Sequence, residues 1–384
     1  SRRSAWYPVG AGFDSFTARV SCATFPGMLG VTDGDLVSSS ETEGQAVYVW
    51  ETREPISGLA LTAGRFTLER ATHKGLELDL YLGPRLAERA SEVMELFRRV
   101  IDAYISMLGE PEARRFAVVL RRQYPGDEHL VRLVAALAHE TAHIWWGSPI
   151  SVGFGDTWFH EALARAMAYE TVGRVLGDEA RAALIHEEID RYAADSAVGS
   201  GGEESVLSWA KSRVLDAPRH VCIRSALVLR LVHHTLGSEA FFETLRRHVA
   251  MYRAKPSGLG EFVKIAERVS GKPVDGLIRQ WLGTTASFAY EIRGARCSPK
   301  PGGGFVTKFS LVNTGDAVGP VQADVLLAGG EWQTREKVTL TGRDQVLMIC
   351  TKHPVRCIVL DPDVYLPNRS WKRCKVSLAS DMTP

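Results

Sequence analysis

His139-Glu-Thr-Ala-His143, followed by Trp158-Phe-His-Glu161-Ala-Leu-Ala164, decides how this chain reads. On a helix, positions i and i+4 share a face, so His139 and His143 can aim imidazole nitrogens at one tetrahedral zinc ion. Glu140 then stands one step round, beside the open coordination position. Residues 144–160, 17 in all, separate His143 from Glu161, which supplies a third ligand. Three metal ligands and a base make the active half of a zinc hydrolase. Two core histidines without metal are the bland alternative, and the second acidic motif argues against it.

The flanking residues supply the helices that this chemistry needs. Leu130, Val134, Leu137, Ala138, Ala142 and Trp145 recur at three- and four-residue steps, the period of a helix with one buried face. Gly147 and Pro149 stop it. Asp156 is a candidate N-cap for a second helix, which carries Leu163, Met167, Val172 and Leu176 and ends at Gly177. Glu161 falls in its first turns.

Outward from this pair the chain divides into three regions. Residues 1–82 hold alternating stretches such as Phe16-Thr-Ala-Arg-Val-Ser21, Ala46-Val-Tyr-Val-Trp50 and Leu76-Glu-Leu-Asp-Leu-Tyr-Leu82, broken by Gly and Pro, and are expected to form a β domain. Residues 83–286 turn to a helical period, with a long amphipathic segment over Leu86–Leu108 and shorter ones over Glu261–Val269 and Val274–Trp281. Residues 287–384 return to strands in Val306–Val312, Val321–Leu327, Lys337–Leu340 and Cys357–Leu360, spaced as in a small β sandwich. Gly302-Gly-Gly304 reads as a turn. The expected class is α+β and multidomain.

The run His139-Glu-Thr-Ala-His-Ile-Trp-Trp-Gly147, with Asp156-Thr-Trp-Phe-His-Glu-Ala-Leu-Ala164, resembles the gluzincin family of zinc aminopeptidases, which includes leukotriene hydrolase. That family has His-Glu-x-x-His, then Trp-x-Gly-Asn, then Trp-Leu-Asn-Glu-Gly-Phe-Ala. Ser225–Leu229 through Leu236–Arg246 is similar to the helical segment after the family's catalytic tyrosine, and Ile278-Arg-Gln-Trp281 to the close of its catalytic region. The resemblance covers about residues 40–290. It implies a thermolysin-like, mostly helical zinc catalytic domain over 83–286, preceded by a β domain that is partial relative to the family. Trp6-Tyr7-Pro8 is similar to a segment in the later half of that β domain, so the chain reads as a fragment or a trimmed relative.

Three departures bear on function. The spacing from His143 to Glu161 is one residue shorter than in the family, a trim that falls in Ile150–Gly155 and that the ligand set should survive. The family's tyrosine, a donor to the developing oxyanion, sits in a Tyr-x-Lys-Gly-Ala-Leu context. Here Cys222-Ile-Arg-Ser-Ala-Leu227 stands there, which aligns Cys222 with it. A thiol is a poor donor, and losing one oxyanion donor typically costs about 10²–10³ in rate. Either turnover is slow, or His220 or Tyr192 substitutes, or the chemistry differs; His220 is taken as the candidate. Third, the family's Gly-x-Met-Glu-Asn edge strand, whose Glu holds the peptide amine, has no counterpart. Phe116–Leu120 runs almost directly into the zinc helix, leaving Asp127 or Glu128 as alternative anchors or as ordinary helix N-terminal acids.

Composition bounds the rest. A formal net charge of +1 over 384 residues argues against nucleic acid or an anionic membrane as the dominant partner. Arg98-Arg99, Arg114-Arg115 and Arg121-Arg122 read as solvated faces. No run of 18 apolar residues would span a membrane. The opening Ser-Arg-Arg-Ser-Ala-Trp-Tyr-Pro8 lacks a signal peptide's apolar segment, which favours a cytoplasmic, soluble chain. Of six cysteines, Cys350 and Cys357 flank an expected hairpin at His353-Pro354 where a cross-strand disulfide is conceivable, against reduced thiols, and none has a Cys-x-x-Cys spacing. His233-His234 reads as a surface or boundary pair, Trp145 and Trp146 as core, and His160 as a pocket or ligand-supporting residue.

The expected function is zinc-dependent, aminopeptidase-like hydrolysis of a peptide or small amide. Zinc sits on His139, His143 and Glu161, and Glu140 takes the water's proton and passes it to the leaving amine. The alternatives are a zinc hydrolase or biosynthetic enzyme acting on an unusual or N-blocked substrate, and a noncatalytic peptide-binding domain that keeps the fold.

Overall fold

Alternating apolar residues make the first region a set of strands, as its sequence predicts: β1 (Arg19–Thr24), β2 (Leu29–Thr32), β3 (Asp35–Glu41), β4 (Ala46–Glu51), β5 (Leu61–Gly64), β6 (Thr67–His73) and β7 (Leu76–Leu82). Helices follow: α1 (Pro84–Ala87), α2 (Ala90–Leu108), then strand β8 (Arg115–Leu120), α3 (Glu128–Ala142), α4 (Thr157–Leu176), α5 (Asp178–Val198), α6 (Val206–Ala210), α7 (Arg219–Leu236), α8 (Ser238–Tyr252), α9 (Leu259–Ser270) and α10 (Asp275–Leu282). The last region holds β9 (Tyr290–Pro299), β10 (Phe305–Asn313), β11 (Val321–Gly329), β12 (Trp332–Leu340), β13 (Asp344–Thr351), β14 (Cys357–Leu360) and β15 (Lys375–Ser377). The structure, a computed structural model, describes residues 16–53, 55–56, 58–121, 128–146, 157–198, 204–211, 217–253, 255–317, 319–368 and 371–378. The fold is α+β, with strands at both ends of a helical middle.

Two compact units emerge: residues 1–181, 209–218 and 238–274, and residues 182–208, 219–237 and 275–384. In the first, β1-β4-β3 and β2-β5 are antiparallel, while β6-β7-β8 pairs β7 antiparallel with β6 and parallel with β8. A core of Val31, Trp50 and Tyr81 gathers Leu29, Tyr48, Phe66, Leu68 and Val119. The indole of Trp50 donates to the Gly30 carbonyl at 3.0 Å, so its one polar atom is satisfied inside. The expected continuous helix from Leu86 is broken instead. Arg89 leaves helical geometry at φ −112, ψ 23, which lets Leu86 be buried in α1 while α2 presents its own stripe of Val93, Phe97, Val100 and Tyr104. Arg115 is not a solvated cation either: its guanidinium bridges Asp35 and the buried Asp79.

In the second unit, β13-β10-β9 and β12-β11-β14-β15 are antiparallel sheets. Every second residue of β10 and β11 is buried, from Thr307 and from Val321 onward, so each sheet turns one face inward as in a sandwich. Gly302, Gly303 and Gly304 all take positive φ in the turn from β9 to β10. The expected hairpin at His353-Pro354 does not exist: β13 pairs with β10 and β14 with β11, so the segment between them changes sheets. Cys350 and Cys357 therefore belong to different sheets and are free thiols, as are the other four cysteines. Of the two readings of the α7 pair, the boundary one holds: His233 is buried, His234 half-buried, and both rings lie against Tyr365. Among the described residues no helix is long and apolar enough to cross a membrane.

Candidate active site

The apolar stripe of α3 fixes which of its residues stay open. Leu133, Val134, Leu137, Ala138 and Ala142 are buried, while His139 is partly open and Glu140 exposed. Tyr104 of α2 donates its hydroxyl to the Ala138 carbonyl at 2.7 Å, one residue before the first histidine, and its ring stacks on Trp145 at 5.1 Å. α4 is buried almost all round through Trp158, Phe159, Ala162, Leu163, Ala164 and Met167, as suits a helix enclosed on most sides. Glu161, in its opening turns, stays partly open with 35% of its side chain exposed.

His139, His143 and Glu161 converge as their spacing predicts. His139 Nε2 lies 3.3 Å from Glu161 Oε2 and His143 Nε2 3.6 Å from Glu161 Oε1. One ligand atom from each of the three lies within 4.8 Å of the others. With metal–ligand bonds of about 2.0–2.1 Å, a tetrahedral site has ligand–ligand edges of about 3.3–3.5 Å, so the donor set fits a zinc-sized ion. The two imidazoles meet edge to face at 5.1 Å.

A chain of buried groups sets the orientation of His143. Its Nδ1–H donates to the Trp146 carbonyl at 3.1 Å, which leaves the lone pair on Nε2, the atom that faces Glu161. The Trp146 indole donates to His248 Nδ1 at 3.3 Å, and His248 Nε2–H donates to Ser257 Oγ at 2.7 Å. Burial pulls the His248 pKa down to about 4, against a smaller opposing pull from Glu261. His160 is buried at 2% exposure, and neither ring nitrogen has a hydrogen-bond partner among the described residues. Burial, reinforced by His248 and His143, depresses its pKa to about 3. It is an enclosed neutral side chain and makes no hydrogen bond to a candidate ligand. Trp145 and Trp146 are core residues, at 3% and 0% exposure.

The remaining candidates belong to the second unit. His220 and Tyr192 share a small cavity of the second unit with Glu204, Ser205, Arg224 and Thr284. Arg224 is buried there, donating to Ser287 Oγ at 2.9 Å and to the carbonyls of Trp281 and Ala286. Cys222, on the same helix, is buried at 6% exposure. Gly147, Pro149, Asp156, Asp127 and the side chain of Glu128 fall outside the described residues. Sequence reasoning missed His248 and Ser257, which no local motif marks: the first is 102 positions from its indole partner.

Residues 113–281 match the peptidase family M1 domain. Among curated proteins, the chain is 23% identical over 179 residues to a probable aminopeptidase 2 of Sulfurisphaera tokodaii, covering 44% of this chain and 22% of that protein. It is 22% identical over 286 residues to tricorn protease-interacting factor F2 of Thermoplasma acidophilum, covering 67% of this chain and 35% of that protein. A crystal structure of Legionella pneumophila aminopeptidase A in complex with aspartic acid superposes with a TM-score of 0.64 at 14% identity, over 92% of this chain and 44% of that one. This likeness is one of fold, and the chain spans less than half the length of each of these three proteins. The matched segment contains both His139-Glu-Thr-Ala-His143 and Glu161, so residues 113–281 of this chain are of the gluzincin, M1 aminopeptidase type.

Proposed function

We propose that this chain is a zinc-dependent metallopeptidase that hydrolyses peptide amide bonds in the manner of an aminopeptidase, with residues 83–286 as its catalytic domain between 1–82 and 287–384. The convergence of His139, His143 and Glu161, with nitrogen–oxygen separations of 3.3 and 3.6 Å, carries this reading. These three would hold the ion. Bound there, zinc supplies Lewis acidity toward the scissile carbonyl and activates water for attack. The exposed Glu140 carboxylate accepts a proton from that water and hands it to the leaving amine nitrogen. Trp146 keeps the His143 proton on Nδ1 throughout, so Nε2 remains a donor atom for metal. His220 is the residue we nominate for the role of the family's tyrosine.

A second reading, a zinc hydrolase or biosynthetic enzyme for an unusual or N-blocked substrate, is favoured by the buried Cys222 at the tyrosine position and by the missing Gly-x-Met-Glu-Asn motif. Metal analysis of protein purified without added zinc, with turnover of aminoacyl amides measured before and after chelation, tests the primary reading. One zinc per chain with turnover that follows zinc content supports it. Less than about 0.2 equivalents after zinc reconstitution contradicts the ligand set.

A further inference from the structure

Among the described residues, two sheets give the second unit four edge strands, and three of them are protected against pairing with another chain. β9 carries exposed Arg293 and Arg296 and an irregular register against β10. β12 holds Arg335-Glu336-Lys337 in its middle, all exposed. β15 is three residues long. Charge, bulging and brevity are the devices by which edges are blunted. β13 has none of them: it is eight residues long, and its only charge is Asp344 at the first position. Its outward side chains are also apolar, with Val346 58% and Met348 66% exposed, and Cys350 exposed beyond them.

We propose that β13 pairs antiparallel with β13 of a second copy of this chain, about a two-fold axis at Met348, joining two three-stranded sheets into one of six strands. The charges select this register. With Met348 opposite itself, Asp344 at the start of β13 faces Lys352 of the other copy, the bend residue that follows the strand's end, at both ends of the contact. Val346 then faces Cys350 on the outer face, and on the inner face Leu347 meets Ile349 and Gln345 meets Thr351. Both Asp344 and Lys352 are exposed and free to reach across. Moving the axis one residue back, to Leu347, sets Asp344 against Cys350 and Gln345 against Ile349. Moving it one residue forward, to Ile349, sets Val346 against Lys352. Of these three registers the Met348 axis alone pairs apolar with apolar, polar with polar and opposite with opposite charge, which is the self-complementarity an isologous contact requires. The pairing is independent of the metal site.

Sedimentation velocity of the full chain across a concentration series should show a reversible monomer–dimer equilibrium. Met348→Lys sets two like charges against each other on the axis and should weaken dimerisation at least about tenfold. Because Met348 is mostly exposed, the variant should unfold at the wild-type temperature. Asp344→Lys should weaken the dimer, and Asp344→Lys combined with Lys352→Asp should restore it. In a Cys350→Ser background, Met348→Cys should give a disulfide-linked dimer under mild oxidation, since only a two-fold axis at that position opposes the residue to itself. A chain that stays monomeric throughout, an edge occupied by some other strand so that Met348→Cys never links, or a dimer indifferent to Met348→Lys would each overturn the proposal.

Discussion

The Trp146 indole N–H and Nδ1 of His248 meet at 3.3 Å across 102 positions of sequence, and the carbonyl of the same tryptophan accepts a hydrogen bond from His143 Nδ1–H. One buried residue therefore ties α8 to a candidate metal ligand. Removing the acceptor with His248→Leu leaves the indole N–H unsatisfied inside the protein and frees Trp146 to shift. Zinc affinity, measured by competition with a chelating dye, should fall about 10–100-fold. Ser257→Ala, one bond further away, should have a smaller effect in the same direction. Unchanged affinity in His248→Leu would remove the orienting role.

His248 also sets a pH dependence of stability. Its folded pKa of about 4 lies below the ordinary histidine value near 6.5, because burial penalises the cation more than Glu261 favours it. Between those two values the unfolded chain binds the extra proton, so stability rises with pH there. The stabilisation is complete above about pH 6.5 and is lost as pH falls toward 4. Urea unfolding should show a loss of about 2 kcal/mol between pH 7 and 5 from this residue. His248→Gln, which cannot titrate, should flatten that part of the profile. His160 also titrates low, chiefly through burial and in part through His248, so the change in His248→Gln reports His248 together with its influence on His160.

Substitutions at the two glutamates should separate chemistry from binding. Glu140→Gln keeps the side chain's shape but cannot accept a proton, so it should retain zinc and lose at least about 10²-fold in turnover. Glu161→Ala removes one of the three converging donors and should lose zinc itself, with turnover falling in proportion to metal. Retention of more than about a tenth of wild-type turnover by Glu140→Gln would rule out its role as general base.

What could be read from the sequence was what local periodicity and fixed spacing encode. α3 announced itself through Leu130, Val134, Leu137, Ala138 and Ala142, of which Leu130 proves 37% exposed while the other four are buried, and the i, i+4 spacing puts His139 and His143 on one face. What stayed hidden was non-local. The bend at Arg89 depends on burial of Leu86, and an apolar period looks the same with or without it. The residues 352–356 look like a hairpin turn, yet β13 and β14 pair with β10 and β11, a choice made by distant strands. Arg115 looked like half of a solvated pair because Asp35 and Asp79, its partners, lie 80 and 36 positions away. The link from Ser257 through His248 to Trp146 has the same character: each residue alone is unremarkable in sequence.

Substrate choice turns on what holds the amine. An aminopeptidase sets a carboxylate against the substrate's α-ammonium, a charge-assisted contact typically worth about 1.5–3 kcal/mol, or roughly 10–150-fold in kcat/KM. The sequence has no Gly-x-Met-Glu-Asn segment to provide that carboxylate, and Asp127 and Glu128 are the acidic residues nearest the start of α3. We therefore expect weak turnover of free aminoacyl fluorogenic amides and less than about tenfold discrimination against their N-acetylated partners, since acetylation then removes no strong contact. That outcome moves the assignment toward an unusual or N-blocked substrate. Strict dependence on a free amine, abolished in Asp127→Ala or Glu128→Ala, would instead establish ordinary aminopeptidase specificity with a relocated anchor. The panel is informative only with zinc-loaded protein, and Glu140→Gln measured beside it reports how much of any turnover belongs to this site.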